Sequence, residues 1–165
     1  MKRLMVVLTA VAAFGAAGAH AQNAAQVERA QSGASCPHCN LFQADFNNRE
    51  LKGKNFAGAR LRQSDMGLGE FNGTNFAGAD LRDINGSAAL YGHVNFAGAN
   101  LTHANFVGAY LEHANFRGAI LEGVNFSGAE MSTAVGLTQR QMDRTCGDRS
   151  TQLPPGLRIP VCEER

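Results

Sequence analysis

A five-residue period runs through the middle of this chain and constrains its fold more than any other feature. Every fifth residue from Leu41 to Met131 is large and apolar, except for Gly86. The residue two places earlier is usually small, and most often it is alanine. A period of five matches neither an α-helix, with about 3.6 residues per turn, nor a plain strand, whose side chains alternate with a period of about two.

Each pentapeptide is therefore predicted to be a short extended piece followed by a turn. Side chains at positions i and i+2 of an extended piece point to the same side, so the large residue and the small residue before it would both face inward. Repeated turns would wind the chain into a coil. Successive coils would stack and exchange backbone hydrogen bonds, as in other solenoids.

A second period, of twenty residues, sets the number of sides. The segment Asn-Phe-Ala-Gly that begins at Asn55 recurs at Asn75 and Asn95, and as Asn-Phe-Arg-Gly at Asn115. Four pentapeptides per coil would place like residues above one another. The predicted core ladders consist of four phenylalanines and five leucines: Phe56, Phe76, Phe96 and Phe116, and Leu41, Leu61, Leu81, Leu101 and Leu121.

Four residues depart from the pattern and predict local irregularities. Gly86 removes one large core side chain, and Ile84, at a normally small position, is expected to refill part of the gap. Arg49 and Lys54 also occupy positions that are normally small. The coils that contain them are therefore expected to be irregular.

The pattern closely resembles the pentapeptide-repeat family, whose consensus is A(D/N)LxX. Ala79–Asp83 (ADLRD) and Ala99–His103 (ANLTH) match this consensus directly, and the resemblance covers about residues 39–133. It implies an all-β fold, a right-handed four-sided (quadrilateral) β-helix. The four sides also follow from the spacing, whereas the handedness rests on the resemblance alone.

The amino terminus has the features of a secretory signal peptide. A basic start, Met1–Arg3, precedes an apolar run from Leu4 to Gly18, and Ala19–Ala21 has the small-x-small pattern of a signal peptidase site. The run is shorter than the roughly 20 residues that a spanning helix needs, which disfavours the alternative of an uncleaved anchor. We therefore predict export to the periplasm or beyond, with no membrane attachment after cleavage.

The predicted organisation has four parts. Residues 1–21 are the signal peptide, 22–38 an N-terminal linker and cap, 39–133 the β-helix, and 134–165 a C-terminal cap. In the last part, Thr138 and Gln141 have the spacing of a capping box, so a short capping helix is predicted from about Thr138 to Thr145, ended by Gly147. Residues 154–156 (PPG) predict a turn.

Four cysteines, an even number in an exported chain, favour disulfides over free thiols or metal ligands. Cys36 and Cys39 directly precede the first repeat, and Cys146 and Cys162 bracket the tail. Proximity favours the pairs 36–39 and 146–162, although sequence alone allows three pairings. The segment Cys36–Cys39 (CPHC) also resembles the active site of oxidising periplasmic thioredoxin-like enzymes. A redox role is thus an alternative, as is metal binding, although no βαβ pattern surrounds the segment.

One side of the predicted coil carries a possible interaction patch. Leu90 and Tyr110 lie twenty residues apart at positions that should point outward, and exposed apolar residues that stack can mark a contact surface. His93 and His113 should be vertical neighbours beside them. We predict no metal site, because His103 should lie on the opposite side and no third ligand is in register.

The function predicted from these features is that of a non-enzymatic exported scaffold or protein-interaction module, with an unknown protein partner and no cofactor. Removing Lys2 and Arg3 from the 15 basic residues leaves 13, against 14 acidic residues, so the net charge of −1 indicates no nucleic-acid binding. Some members of the family mimic DNA and bind gyrase through a strongly acidic surface. Residues 39–133 contain nine acidic and seven basic residues, which makes this alternative weak. The sequence does not predict the oligomeric state.

Overall fold

A four-sided coil forms the body of the molecule, and short segments lie across its two ends. The structure is a computed structural model that describes residues 22–163. The predicted signal peptide at residues 1–21 lies outside the described residues. Among residues 22–163, no helix is both long and apolar enough to cross a membrane.

Single-residue parallel bridges connect successive coils, and those between residues 40 and 135 each join residues twenty apart. Over residues 40–130 every bridging residue except Asn85, which precedes Gly86, directly precedes a large core residue, so four columns of bridges run along the coil. We number the faces by these columns: the first contains Asn40, Arg60, Asp80, Asn100 and Ile120, the second Asp45, Asp65, Asn85, Asn105 and Asn125, the third Glu50, Glu70, Leu90, Tyr110 and Glu130, and the fourth Asn55, Asn75, Asn95, Asn115 and Val135.

Backbone hydrogen bonds show why the coil has this register. The Leu41 N–H donates to the Arg60 carbonyl at 2.8 Å, and the Arg60 N–H donates to the Cys39 carbonyl at 2.8 Å. Each corner is a tight turn, such as the one in which the Ala44 N–H donates to the Leu41 carbonyl at 3.0 Å. The two kinds of bond satisfy the backbone both between coils and within each corner.

The core consists of the columns that the sequence predicts. Phe56, Phe76, Phe96 and Phe116 stack with ring centroids 5.6, 5.7 and 5.4 Å apart. The five leucines of the predicted leucine ladder are also buried. Each aromatic pair contributes about 0.5–1.5 kcal/mol beyond its buried area. The small positions between the columns are mostly buried alanines, which lets the corners close tightly around the core.

The gap at Gly86 is filled, but not mainly in the way that the sequence suggested. A Cβ atom on Gly86 would lie 2.8 Å from the Tyr91 hydroxyl oxygen and 2.9 Å from Cε1 of Phe106. Ile84 is buried nearby in sequence, yet the space beside Gly86 is taken by these two aromatic side chains. The absence of a side chain at Gly86 therefore makes room for a tyrosine in the neighbouring column.

The predicted irregularity at Arg49 and Lys54 is wrong. The bridges Glu50–Glu70 and Asn55–Asn75 keep the common register on either side of them. Arg49 is exposed and Lys54 is half-buried, although both occupy positions that elsewhere face the core. These long, flexible side chains direct their charged ends to solvent, so the backbone needs no rearrangement.

Helix α1, Ala24–Gln31, was not predicted. It lies across the end of the coil that begins with the first repeat, which we call the lower end. Asn23 is its N-cap, and its inner side buries Val27 and Ala30. Two of its side chains bond the backbone of the first coil: Gln26 Oε1 accepts from the Asn40 N–H at 2.6 Å, and Gln31 Nε2 donates to the Asp45 carbonyl at 2.7 Å. Glutamine amides thus replace the coil that would otherwise lie beneath.

Helix α2, Gln139–Met142, follows the last full coil and is shorter than predicted. The capping box of Thr138 and Gln141 is present as predicted, but the helix ends at Asp143, well before Gly147. Gln141 Nε2 donates to the carbonyls of Phe116 and Ala119 at 3.3 and 2.9 Å. The side chain that caps the helix thereby also satisfies carbonyl groups of the coil.

The tail beyond α2 continues the ladder past residue 133, where the repeat was expected to end. Cys146 bridges Asn125, and Gln152 bridges Glu130, so the tail forms part of a further coil. Gly147 pairs with Val161 instead of ending the helix. The turn predicted at residues 154–156 is present, with a hydrogen bond from the Leu157 N–H to the Pro154 carbonyl at 3.3 Å.

Candidate functional site

The third face presents the two stacked apolar side chains of the predicted patch to solvent. Leu90 and Tyr110 are bridge partners, and their exposures are 41% and 38%. Each is followed by a buried core residue, Tyr91 or Leu111. Alternation along the extended piece therefore directs Leu90 and Tyr110 outward while their neighbours anchor the backbone.

Tyr110 is held against the face by the glycine of the coil beneath it. A Cβ atom on Gly92 would lie 3.0 Å from Cε1 of Tyr110. The Gly92 N–H donates to Asn72 Oδ1 at 2.7 Å, which fixes the glycine in place. The phenol ring thus rests on bare backbone, and the sequence analysis missed this contact although Gly92 lies two residues after Leu90.

His93 and His113 are vertical neighbours, as their spacing predicts, at the corner between the third and fourth faces. Their rings stack with centroids 4.5 Å apart. Both residues have positive φ values, 56° and 59°. The turn geometry therefore places both imidazoles on the surface beside the apolar pair.

A carboxylate next to this corner is fully engaged in hydrogen bonds. Glu112 accepts from the N–H and hydroxyl of Ser132 at 3.2 and 2.8 Å, and from the N–H of Thr133 at 2.8 Å. The Thr133 hydroxyl also donates to it. Desolvation alone would raise the pKa of Glu112, but the hydrogen bonds from Thr133 and Ser132 outweigh it and hold the pKa below its usual value. Glu112 is therefore ionised and fixed in position.

Metal ligands do not cluster on this face. Within residues 22–163, no group of three or more histidine, cysteine, aspartate or glutamate side chains is arranged to hold a metal ion. His103 lies at a different corner, where its ring packs over Gly123 in the next coil. The stacked histidines are thus part of a surface, without a third ligand beside them.

The four cysteines form two disulfides, Cys36–Cys39 and Cys146–Cys162, which is the pairing that proximity favoured. Cys36 is 0% exposed and Cys39 is 6% exposed, under helix α1. Cys146 and Cys162 are half-buried. Thiol exchange requires access to a sulfur atom, so the Cys-Pro-His-Cys segment is poorly placed for the redox alternative.

The first face carries a mixed, solvated set of charges. Arg62 pairs with Asp83 at 3.2 Å and Arg82 with Asp80 at 2.7 Å. The hydrogen bond from Arg82 lowers the pKa of Asp80 against the opposing effect of partial burial. The first pair joins two successive coils and the second joins residues of one turn, which gives both a structural role.

Other exposed apolar residues escaped the sequence analysis. Leu68, at the corner between the second and third faces, is the most exposed of those within the coils, and Val107, Ile120 and Val135 lie on the second, first and fourth faces. Their positions follow from the same twenty-residue columns that locate Leu90 and Tyr110. Only on the third face do two such residues bridge each other, among the described residues.

Comparisons with known proteins agree with this architecture. The family model described as Pentapeptide repeats matches eight copies, over residues 39–68 and 94–132. The pentapeptide repeat protein Rfr23 from the cyanobacterium Cyanothece 51142 is 25% identical with a TM-score of 0.51, covering 78% of this chain and 97% of that one. The repeats and this likeness imply a right-handed, four-sided β-helix.

Two further solved structures are less similar. A pentapeptide repeat protein from the Arabidopsis thaliana thylakoid lumen is 30% identical with a TM-score of 0.35, covering 61% of this chain and 66% of that one. Trypsin-treated QnrB1, a plasmid-mediated fluoroquinolone resistance protein, is 19% identical with a TM-score of 0.41, covering 67% and 61%. No curated protein matches this sequence.

Proposed function

We propose that this chain, which belongs to the pentapeptide-repeat family, is an exported, non-enzymatic scaffold whose third face binds a protein partner. The observation that carries the proposal is that Leu90 and Tyr110 are both exposed and bridge each other, which no other pair of exposed large apolar residues among residues 22–163 does. Aromatic side chains near the centre of an interface commonly contribute much of the binding energy. This pair is therefore the centre of the proposed contact surface.

The rigidity of the face supports binding. Gly92 holds the Tyr110 ring down, and the backbone beneath is bonded to the coils on both sides. A side chain that is ordered before binding loses little conformational entropy when a partner covers it. Tyr110 is thus arranged as a preorganised anchor.

The polar groups with shifted pKa values support a structural, non-enzymatic reading. Asp80 is bonded to Arg82, Glu112 to Ser132 and Thr133. The shift of Asp80 arises from hydrogen bonds within one turn and that of Glu112 from hydrogen bonds between coils, whereas catalytic groups are usually tuned within a cleft. These carboxylates therefore stabilise the solenoid.

We also propose that the two end segments are caps. Open ends of a solenoid expose unpaired backbone groups to other chains. Helix α1 bonds the first coil through Gln26 and Gln31, and α2 bonds the last coils through Gln141. Both segments contain a disulfide or adjoin one, which would keep them closed in an oxidising compartment.

Photocrosslinking tests the proposed surface. A benzoylphenylalanine at position 90 is expected to capture a discrete partner in cells, and Tyr110→Ala in the same chain should abolish the adduct. Position 107 is a matched control, because Val107 is 39% exposed but lies on the second face. Equal capture from positions 90 and 107, or an adduct that survives Tyr110→Ala, would contradict the proposal.

The export component has its own test. The mature protein is expected in the periplasmic or culture fraction with an amino terminus at Gln22, measured by intact mass and terminal peptide sequencing. Recovery of a chain that starts at Met1 in the cytoplasm would show that residues 1–21 are not a cleaved signal.

A further inference from the structure

Carboxylates surround the apolar pair along the axis of the coil. The third-face column runs Glu50, Glu70, Leu90, Tyr110 and Glu130, so Leu90 and Tyr110 lie between acidic residues above and below. Glu112 adds a fixed carboxylate beside Tyr110. The surface that a partner meets is therefore an apolar centre with acidic ends.

Among the described residues, the only lysine or arginine in the outward columns of this face is Lys52, in the first coil. Its amino group lies 3.4 Å from Glu50 and 2.8 Å from Glu70, so it compensates the lower end. Arg49 is at the corner of that same coil. Within the described residues, neither Glu112 nor Glu130 pairs with a lysine or an arginine, and the negative charge around Tyr110 stays uncompensated.

Building on the proposed function, we propose that the third face binds a basic peptide segment whose central apolar side chain packs on Leu90 and Tyr110. A lysine or arginine at one end of that segment pairs with Glu130, and the one at the other end lies over Glu70, which Lys52 partly compensates. Glu112, whose oxygens accept from Ser132 and Thr133, adds its negative charge beside Tyr110 without a direct contact. Complementary charges of this kind select partners and accelerate association.

The spacing of the face fits an extended segment. Coils stack about 4.8 Å apart, so Glu70 and Glu130 each lie about 7 Å from the midpoint of Leu90 and Tyr110. Side chains at i and i+2 of an extended chain are also separated by about 7 Å. The matching pattern is therefore basic-x-apolar-x-basic, with the segment parallel to the axis of the coil.

A second copy of this chain fits the face less well. In a symmetric dimer the same patch meets itself, so the carboxylates around each Tyr110 would face those of the other copy. Like charges brought together at an interface disfavour association. The basic segment is thus the occupant that the charges favour.

Fluorine NMR of the mature, disulfide-bonded protein tests the inference directly. The chain has two tyrosines, so 3-fluorotyrosine labelling gives one signal from exposed Tyr110 and one from buried Tyr91. The probe is the peptide acetyl-Gly-Arg-Ser-Phe-Ser-Arg-Gly-amide. It is expected to shift the Tyr110 signal saturably and to leave the Tyr91 signal unchanged.

Two control peptides separate the two parts of the recognition. Replacing both arginines of the probe by glutamate is expected to abolish the shift, and replacing phenylalanine by alanine should weaken binding by about tenfold or more. Raising the salt concentration should weaken binding of the arginine peptide. Equal shifts with all three peptides, or no Tyr110 shift with the arginine peptide, would overturn the inference.

Paired charge-reversal variants exclude a general electrostatic effect. Glu130→Lys is expected to weaken binding of the arginine peptide by about tenfold or more, which corresponds to the loss of a close charge pair. Glu28→Lys changes the net charge equally on exposed helix α1 and should alter binding by less than about twofold. Equal weakening by both variants would count against a specific site.

These outcomes are distinguishable from failure of the proposed function. A discrete crosslinked partner at position 90 without any Tyr110 shift would retain the scaffold and reject the basic segment. A Tyr110 signal that moves with protein concentration alone would assign the face to a second copy. Both results would overturn this inference while leaving the proposed interaction surface in place.

Discussion

At the scale of single residues, the packing around Tyr91 combines a good fit with one uncompensated polar group. The ring stacks on Phe71 at 5.2 Å and meets Phe106 edge-on at 5.3 Å. Its hydroxyl reaches the space left by Gly86 but has no hydrogen-bond partner among the described residues. Burial, with a further contribution from Asp65, raises the pKa of Tyr91 far above its usual value. The phenol thus stays neutral and fills volume at the cost of an unsatisfied group.

Tyr91→Phe is therefore expected to raise the free energy of unfolding by about 1 kcal/mol, because it removes a buried hydroxyl that makes no hydrogen bond. Urea denaturation of the oxidised protein measures this change. Tyr110→Phe is the control, since that ring is exposed, and it should leave stability unaltered. A loss of 1 kcal/mol or more in Tyr91→Phe would show that the hydroxyl has a bonding partner.

Gly86→Ala tests the complementary half of the same packing. The new Cβ would lie so close to the Tyr91 hydroxyl and Phe106 that these side chains must move. We therefore expect the free energy of unfolding to fall by about 1–3 kcal/mol. Combining it with Tyr91→Phe should recover part of the loss, as expected for residues in contact. If the stability change of the double variant equals the sum of the two single changes, the two positions do not share this space.

The fate of the Gly86 gap shows where sequence reasoning ends at this scale. The period of five identified Gly86 as the missing core residue, and it correctly placed the columns on either side. It could not show which neighbour would fill the space, because that depends on side-chain directions across columns. The proximity of Ile84 in sequence was a weaker guide than the reach of Tyr91.

At the scale of structural elements, the asparagine column of the fourth face acts as a ladder between coils. Asn75, Asn95 and Asn115 each donate through Nδ2 to Oδ1 of the asparagine beneath, at 3.1–3.2 Å. Each Oδ1 also accepts from the N–H two residues later, as Asn95 does from Ala97 at 3.1 Å. One side chain therefore supports its own turn and joins two coils.

Asn95→Ala is expected to lower the free energy of unfolding by about 2 kcal/mol, because it removes hydrogen bonds to both neighbouring asparagines and one within the turn. Asn100→Ala is the matched control: within the described part of the chain its Oδ1 accepts from the backbone N–H and hydroxyl of Thr102, both in the same turn. Urea denaturation of the two variants side by side should give a free energy of unfolding about 1 kcal/mol lower for Asn95→Ala than for Asn100→Ala. An equal effect would deny the ladder any contribution between coils.

The two disulfides, which belong to the end segments, should differ in their reactivity. Cys146 and Cys162 are half-buried, whereas Cys36 and Cys39 are buried, with the Cys36 sulfur next to the Gln26 carbonyl of α1. Limited reduction followed by differential alkylation and mass spectrometry is therefore expected to label Cys146 and Cys162 first. Earlier labelling of Cys36 or Cys39 would restore the redox alternative for that segment.

The elements at the ends were harder to predict than the coil. The capping box fixed the start of α2 correctly, because it is a local signal of two side chains. The end of α2 was misplaced, because Gly147 is used for a bridge to Val161 that no local pattern indicates. Helix α1 lacks a strong periodic pattern, and its place depends on contacts with the first coil.

At the scale of the whole molecule, two periods determine the architecture, while the surface is decided by the columns they create. The period of five fixes which residues are buried, and the period of twenty fixes which exposed residues meet. Both periods are visible in the sequence, and together they predict the positions of four surface residues: Leu90, Tyr110, His93 and His113. The support of Tyr110 by Gly92 and the engagement of Glu112 could not be predicted in this way, because each depends on side-chain rotamers.

Carboxylates on the surface of the molecule stabilise the coil in several places through hydrogen bonds. Hydrogen bonds lower the pKa of three of them: Asp80 through Arg82, Glu112, where desolvation is outweighed by the hydrogen bonds from Thr133 and Ser132, and Asp148 through Ser150. A carboxyl group with a lower pKa in the folded state stabilises the fold at pH values above its unfolded pKa. That contribution is lost as the pH falls through the folded value.

The stability of the oxidised protein is therefore expected to change little between neutral pH and the unfolded pKa values of these groups, which are 4.5 for Glu112 and 3.8 for Asp80 and Asp148, and to fall below them. Urea midpoints measured from pH 7 down to about pH 2 follow this change. Glu112→Gln should flatten the acid limb, because the amide keeps the shape without titrating. An acid limb of equal steepness in Glu112→Gln and the unaltered protein would show that the hydrogen-bonded Glu112 contributes nothing to the pH dependence.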